Sequence, residues 1–226
     1  MFDSRSKAIV VILLVGGLFL ALFGDDLALQ STALVLRDSV LVAWLVSLFN
    51  ILFLRNALGR VLGIRPRQLV GLPGILCSPF LHRDIGHLIA NTVPFVVLGW
   101  LILLQSNFQG GGNFPAITVT ILLISGAGTW LFGREAVHLG ASSIVFGYIG
   151  FLLVNVYAAG PTLLTLGVAV LVVWMYGSQL WNILPSSEQK TMSWEGHLFG
   201  FMGGVIAGME PDLVLRIAQY LSVLNQ

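Results

Sequence analysis

A few polar side chains interrupt stretches that are otherwise apolar, and their types and spacing suit acyl-transfer chemistry. From Ala136 to Ser187 the chain has no Asp, Glu, Lys or Arg, yet Gly140-Ala141-Ser142-Ser143 falls near its start. His197 opens another apolar run, and His87 and Asn91, four residues apart, share one helical face. Ionisable and amide groups inside a membrane span are costly and usually functional. A serine within reach of a histidine makes an activated nucleophile. Attack on a carbonyl also needs donors for the oxyanion. The side-chain N–H groups of His87 and Asn91 can supply them, as can the backbone N–H of Ser142 at a helix start, where the dipole favours negative charge. Singly these residues have blander readings: Ser142 and Ser143 as a cap, His87 and Asn91 as glue between helices, His197 as an interface residue. Their conjunction carries the enzymatic one.

The elements that must position them are membrane helices. Of 226 residues, 57% are hydrophobic and 9% charged, against about 25% charged in a soluble domain. A net charge of +1 gives no reason to expect nucleic acid. Each span needs roughly 20 apolar residues. The charge-free runs, broken by "SNFQGGGNFP" at 106–115 and "AAGP" at 158–161, predict seven spans near 8–24, 38–54, 85–104, 115–132, 142–158, 162–181 and 194–210. The third, fifth and seventh start from one side, so His82, His87, Asn91, Ser142 and His197 can share one depth. Gly196, Gly200, Gly204 and Gly208 recur every four residues. Such a ridge lets helices touch backbone to backbone, and packing it on the fifth span brings His197 towards Ser142. Residues 55–84, half apolar with five arginines and three prolines, read as an ordered loop in the membrane interface.

Other signals are weaker. No acidic residue sits inside a span to complete a metal site around the histidines, so neither metal nor cofactor is expected. Lone Cys77 excludes an intrachain disulfide. Ser187-x-x-Lys190 has the spacing of a Ser–Lys dyad but lies in a polar loop. His138 reads as a loop residue at the cavity rim. Span 8–24 reads as a retained anchor rather than a signal peptide, because no small-residue cleavage site follows it.

The residues resemble the rhomboid family of intramembrane serine proteases. His82, four residues, His87, three residues, Asn91 matches the motif of its second core helix. Gly140-Ala141-Ser142 matches its nucleophile motif, and His197-x-x-Gly200-x-x-x-Gly204 its base motif. "GIRPR", "SPFLH" and "SWEGH" resemble one bacterial branch. The resemblance, over about 39–210, implies an all-α polytopic bundle: a six-helix core preceded by one extra transmembrane helix. It divides the chain into an N-terminal tail and helix (1–37), a catalytic membrane domain (38–210) and a short C-terminal tail (211–226). It implies a serine endopeptidase cutting transmembrane protein substrates in the bilayer, in a multi-pass protein of the bacterial inner membrane. Ser142 would be nucleophile, His197 general base, and His87, Asn91 and the Ser142 amide the oxyanion hole. His82 would support that hole, and Phe146, where many members have tyrosine, would stack on the base. Ser143 replaces the usual glycine, and the family's Trp-Arg pair is absent from the first loop. The alternatives are an inactive relative that binds transmembrane clients, and a histidine-lined transporter. The latter should show inverted repeats, and the sequence has none.

Overall fold

A computed structural model describes residues 4–23, 27–109, 113–185 and 192–224. Helices dominate: α1 (Ser4–Phe23), α2 (Leu27–Leu52), α3 (Ala57–Leu62), α4 (Gly74–Cys77), α5 (Ile85–Gln109), α6 (Phe114–Phe132), α7 (Ser142–Ala158), α8 (Leu163–Tyr176), α9 (Trp194–Met209) and α10 (Leu213–Leu224). By length and composition α2, α5 and α6 each hold a membrane-crossing stretch, as does α8 together with the 3-10 turn that follows it, and α9 with α10 forms a bent pair, turned by 76°. The protein is therefore an integral, multi-pass helical membrane protein.

Two elements differ from the sequence reading. Helix α2 starts at Leu27 rather than near 38. Arg37 and Asp38, which suggested a loop, are exposed and pair with each other at 2.7 Å, so the helix runs through them. Residues 213–224, expected as a tail, form α10; an amphipathic segment lacks the long apolar run by which spans are recognised. The sixth span continues beyond α8 as a 3-10 helix over Gly177–Ile183.

Helix α7 lies at the centre. Its 17 residues span about 26 Å at 1.5 Å per residue, less than the ~30 Å hydrocarbon core. Tyr148 and Phe151 on it are fully buried, as are Leu98 and Ile102 of α5 and Ile117 and Ile121 of α6. Two polar pairs lie among these side chains: Tyr148 Oη pairs with Thr118 Oγ1 at 2.9 Å, and Asn155 donates to Gln105 Oε1 at 2.8 Å.

The glycines decide how α9 approaches α7. A methyl group on Gly200 would strike the carbonyl oxygen of Ser143, and one on Gly204 that of Gly147. From the other side, a methyl on Gly150 would strike the carbonyl of Phe201. The two backbones are in direct contact along two turns. Gly196, expected to extend the ridge, instead meets the Ser193 side chain of its own cap, at 3.0 Å from an added Cβ. On α6, Gly128 makes room for the Phe199 ring in the same way.

The 53–84 segment is ordered, with α3, α4 and 3-10 turns at Leu69–Gly71 and Ser78–Phe80. Arg67 ties it to the end of α6, its Nη1 donating to Gly133 O at 2.7 Å and its N–H to Trp130 O at 2.8 Å. Leu69, Val70 and Leu76 remain exposed on it, an apolar surface suited to the bilayer interface.

Overpacking a tight contact costs about 1–3 kcal/mol or more. Gly204→Ala should therefore lower the unfolding temperature in detergent. Gly167→Ala, where nothing lies within 4 Å, should leave it unchanged or raise it slightly. Equal behaviour of the two variants would contradict the packing.

Candidate active site

The α7–α9 contact brings Ser142 and His197 together at the start of both helices. Ser142 Oγ lies 3.1 Å from His197 Nε2. The other ring nitrogen, Nδ1, lies 3.1 Å from the backbone carbonyl of Asn182. A carbonyl only accepts, so Nδ1 carries the proton and Nε2 presents its lone pair to the serine hydroxyl. Phe146 stacks on the imidazole with centroids 4.1 Å apart and planes at 12°, which limits ring rotation. His197 is 4% exposed and so is held on all sides.

Gly140 joins the third helix to this pair. Its φ of +109° is one that L side chains rarely adopt. A Cβ there would stand 2.8 Å from His87 Cε1 and 3.5 Å from Asn91 Nδ2. The absent side chain thus lets His87 and Asn91 lie against the backbone two residues before Ser142. Asn91 donates one amide hydrogen to His87 O at 3.0 Å and has a second to offer. His82 buttresses His87 edge-on, with centroids 5.1 Å apart. Ser47 has one proton and Phe80 O takes it, at 2.9 Å; Ser47 therefore accepts from His82 Nδ1, also at 2.9 Å. Because α7 begins at Ser142, the Ser142 N–H belongs to the first helical turn, whose amides lack helical acceptors.

A cavity of about 420 Å³ opens over these groups, lined among others by His87, Asn91, Ser142, Phe146 and His197. Arg83 and Arg134 also line it. Ser143, by contrast, turns its carbonyl to Gly200 and does not line the cavity.

Sequence reasoning missed a second set of residues. His138 lies in the loop between α6 and α7 and lines the cavity, and it is buried, 6% exposed. Its backbone pairs with Ile64 in both directions at 2.9 Å. Its Nε2 faces Arg134 O at 3.1 Å and therefore donates, so Nδ1 accepts from Ser193 Oγ at 2.7 Å. Ser193 Oγ in turn accepts the N–H of Gly196 at 3.1 Å, capping α9. Glu195, in the first turn of α9 and 1% exposed, closes the circuit by accepting the Arg134 N–H at 3.0 Å. Ser193 and Glu195 in "SWEGH" are the available sequence signals, a cap and an acid in the first turn. Among their partners are the backbone N–H groups of Gly196 and Arg134, which leave no trace in sequence. Ser187 and Lys190 lie outside the described residues.

The family model for the Rhomboid domain matches residues 67–210. The chain belongs to the rhomboid family. It is 39% identical over 153 residues to uncharacterized proteins of Mycobacterium bovis and Mycobacterium tuberculosis, a stretch covering 64% of this chain and 61% of each relative. An uncharacterized protein of Mycobacterium leprae is 36% identical over 152 residues, 64% of this chain and 58% of the relative. The matched stretch thus spans less than two thirds of the relatives' length. The rhomboid match contains His82, His87, Asn91, Ser142 and His197, together with His138, Ser193 and Glu195, while Ser47 and Ile64 lie before it.

Two predictions concern the shell around the pair. Loss of a helix cap costs about 1 kcal/mol, and loss of a charge-assisted hydrogen bond about 1.5–3 kcal/mol. Glu195→Ala should thus destabilise more than Ser193→Ala; the reverse order in chemical or thermal unfolding would contradict the circuit. Burial holds the His82 pKa down at about 4, below its ordinary 6.5, and lowers that of His138. A lowered pKa means that the unfolded chain takes up protons first. The contribution of His82 is therefore complete above about pH 6.5 and is lost as pH falls towards 4. Unfolding temperatures that stay flat across this window would contradict its buried, neutral state.

Proposed function

We propose that the protein is an intramembrane serine endopeptidase that hydrolyses peptide bonds in or near transmembrane segments of other membrane proteins, with Ser142 and His197 as a dyad. The observation that carries this reading is the Ser142 Oγ–His197 Nε2 hydrogen bond at 3.1 Å, with Nδ1 anchored on a carbonyl.

In the first half-reaction Ser142 Oγ attacks the carbonyl carbon of the scissile bond while its proton passes to His197 Nε2. The developing oxyanion is met by N–H groups of His87, Asn91 and Ser142 itself. The tetrahedral intermediate collapses, the C–N bond breaks, and the imidazolium gives its proton to the leaving amine. Water then attacks the acyl ester. His197 takes a proton from it, and Ser142 recovers that proton as the second product leaves as a carboxylic acid. The Asn182 carbonyl takes the place that a carboxylate holds in a three-residue triad, fixing the tautomer without a full buried charge. Phe146 steadies the ring. Gly140, Gly200 and Gly204 act through spacing alone.

A non-catalytic client-binding protein is the second reading, favoured by Ser143 in place of glycine. The cavity also holds a second Ser–His pair, Ser193 with His138, but Ser193 Oγ already accepts the Gly196 N–H as the cap of α9.

Purified protein treated with a fluorophosphonate should carry one adduct, on the peptide containing Ser142. Ser142→Ala should lose both the adduct and the cleavage of a fluorescent transmembrane substrate, whereas Ser143→Ala should retain them. His197→Ala should be as damaging as Ser142→Ala, with the double variant no worse, because the pair acts as a unit. Asn91→Ala should lower kcat by about 10²–10³, the scale of one oxyanion donor. An adduct on Ser193 or Ser143, or multiplying effects of Ser142→Ala and His197→Ala, would overturn the dyad.

A further inference from the structure

We propose that the active site opens to the cytoplasm, so that its substrates are membrane proteins presenting the cleaved segment at the cytoplasmic end of a span. This rests on the protease reading for its substrate class, but the orientation stands on charge and geometry.

The helices fix two sides. Helices α5, α7 and α9 start on the side of Ser142 and His197, and α2, α6 and α8 end there. Helix α1 is the element whose direction most affects the count, and Lys7 sets it. Its Nζ donates to Met175 O at 3.2 Å and lies 5.8 Å from the Trp174 ring centroid. Both partners are in the last turns of α8, on the active-site side. The start of α1 is therefore on that side as well.

Lys and Arg then divide unevenly. Arg5 and Lys7 lie in the first turn of α1, five arginines lie in the 53–84 segment, Arg134 follows α6, and Lys190 falls between α8 and α9: nine of the eleven basic residues. The opposite side has Arg37, paired with Asp38, and Arg216, paired with Glu210. Short loops rich in Lys and Arg stay in the cytoplasm, and the 53–84 segment is short enough to count. Arg67 and Arg134 have structural partners in the folded protein, but orientation is set during insertion, before those contacts form. Their structural use does not remove them from the count.

A site on this side would hydrolyse bonds at the cytoplasmic end of the substrate's span and release the freed fragment into the cytoplasm. The orientation predicts that the end of the chain, after α9 and α10, faces outward.

Two reporters fused after Gln226 in a bacterial host test this without reference to activity. Alkaline phosphatase, which becomes active outside the cytoplasm, should be active; green fluorescent protein, which fluoresces inside it, should be dark. The opposite pattern overturns the proposal. Single cysteines in a Cys77→Ala background give a second reading. A membrane-impermeant maleimide applied to intact spheroplasts should label Gln219→Cys and should reach Gln68→Cys only after permeabilisation. Labelling of Gln68→Cys in intact spheroplasts overturns the proposal. Neither readout depends on Ser142, so failure of the protease reading leaves it standing, and a reversed topology leaves the dyad untouched.

Discussion

The main-chain contact between α7 and α9 is the constraint on which the rest depends. A hydrogen bond between serine and histidine on two helices requires their axes to approach far more closely than ordinary side chains permit. Here carbonyl oxygens of Ser143 and Gly147 occupy the positions that Cβ atoms of Gly200 and Gly204 would take. In a bilayer no hydrophobic driving force holds helices together, so close van der Waals packing of small residues has to do so. The same contact that stabilises the bundle thus sets the distance between the two groups.

The surroundings of His197 follow from that geometry. Its ring is enclosed by Phe146 on one face, anchored at Nδ1 by a carbonyl, and approached at Nε2 by Ser142. A carboxylate at Nδ1 would bring a second charge into a low-dielectric site, costly unless fully paired. A buried carboxylate nearby, Glu195, is bound instead to the Arg134 backbone, where it tethers the loop before α7 to the first turn of α9. Ordering of the loop and placement of the histidine are therefore coupled through Arg134, His138, Ser193 and Glu195.

Much of this was legible in sequence because the bilayer simplifies the code. Long apolar runs broken by glycine and proline mark spans, and parity of spans places Ser142, His197, His87 and Asn91 on one side. The periodic glycines announce a close contact, though not its partner atoms. What stayed hidden has a common cause. Asn182 O and Arg134 O act as acceptors through backbone atoms, which any residue type would supply. His138 looked peripheral since loop residues are usually exposed, yet its pairing with Ile64 draws it inward. Arg37 and Asp38 masked the first turns of α2 because charge was read as the end of a helix, and α10 lacked the continuous apolar run that marks spans.

Main-chain contact at Gly200 sets the Ser142–His197 distance. The most direct measurement is the rate of Ser142 acylation by a fluorophosphonate in a series with glycine, alanine and valine at position 200, compared with the same series at Gly208, distant from the pair. The rate should fall stepwise with side-chain size at 200 in protein that remains folded, and change much less at 208. An unchanged rate with valine at 200 would contradict it.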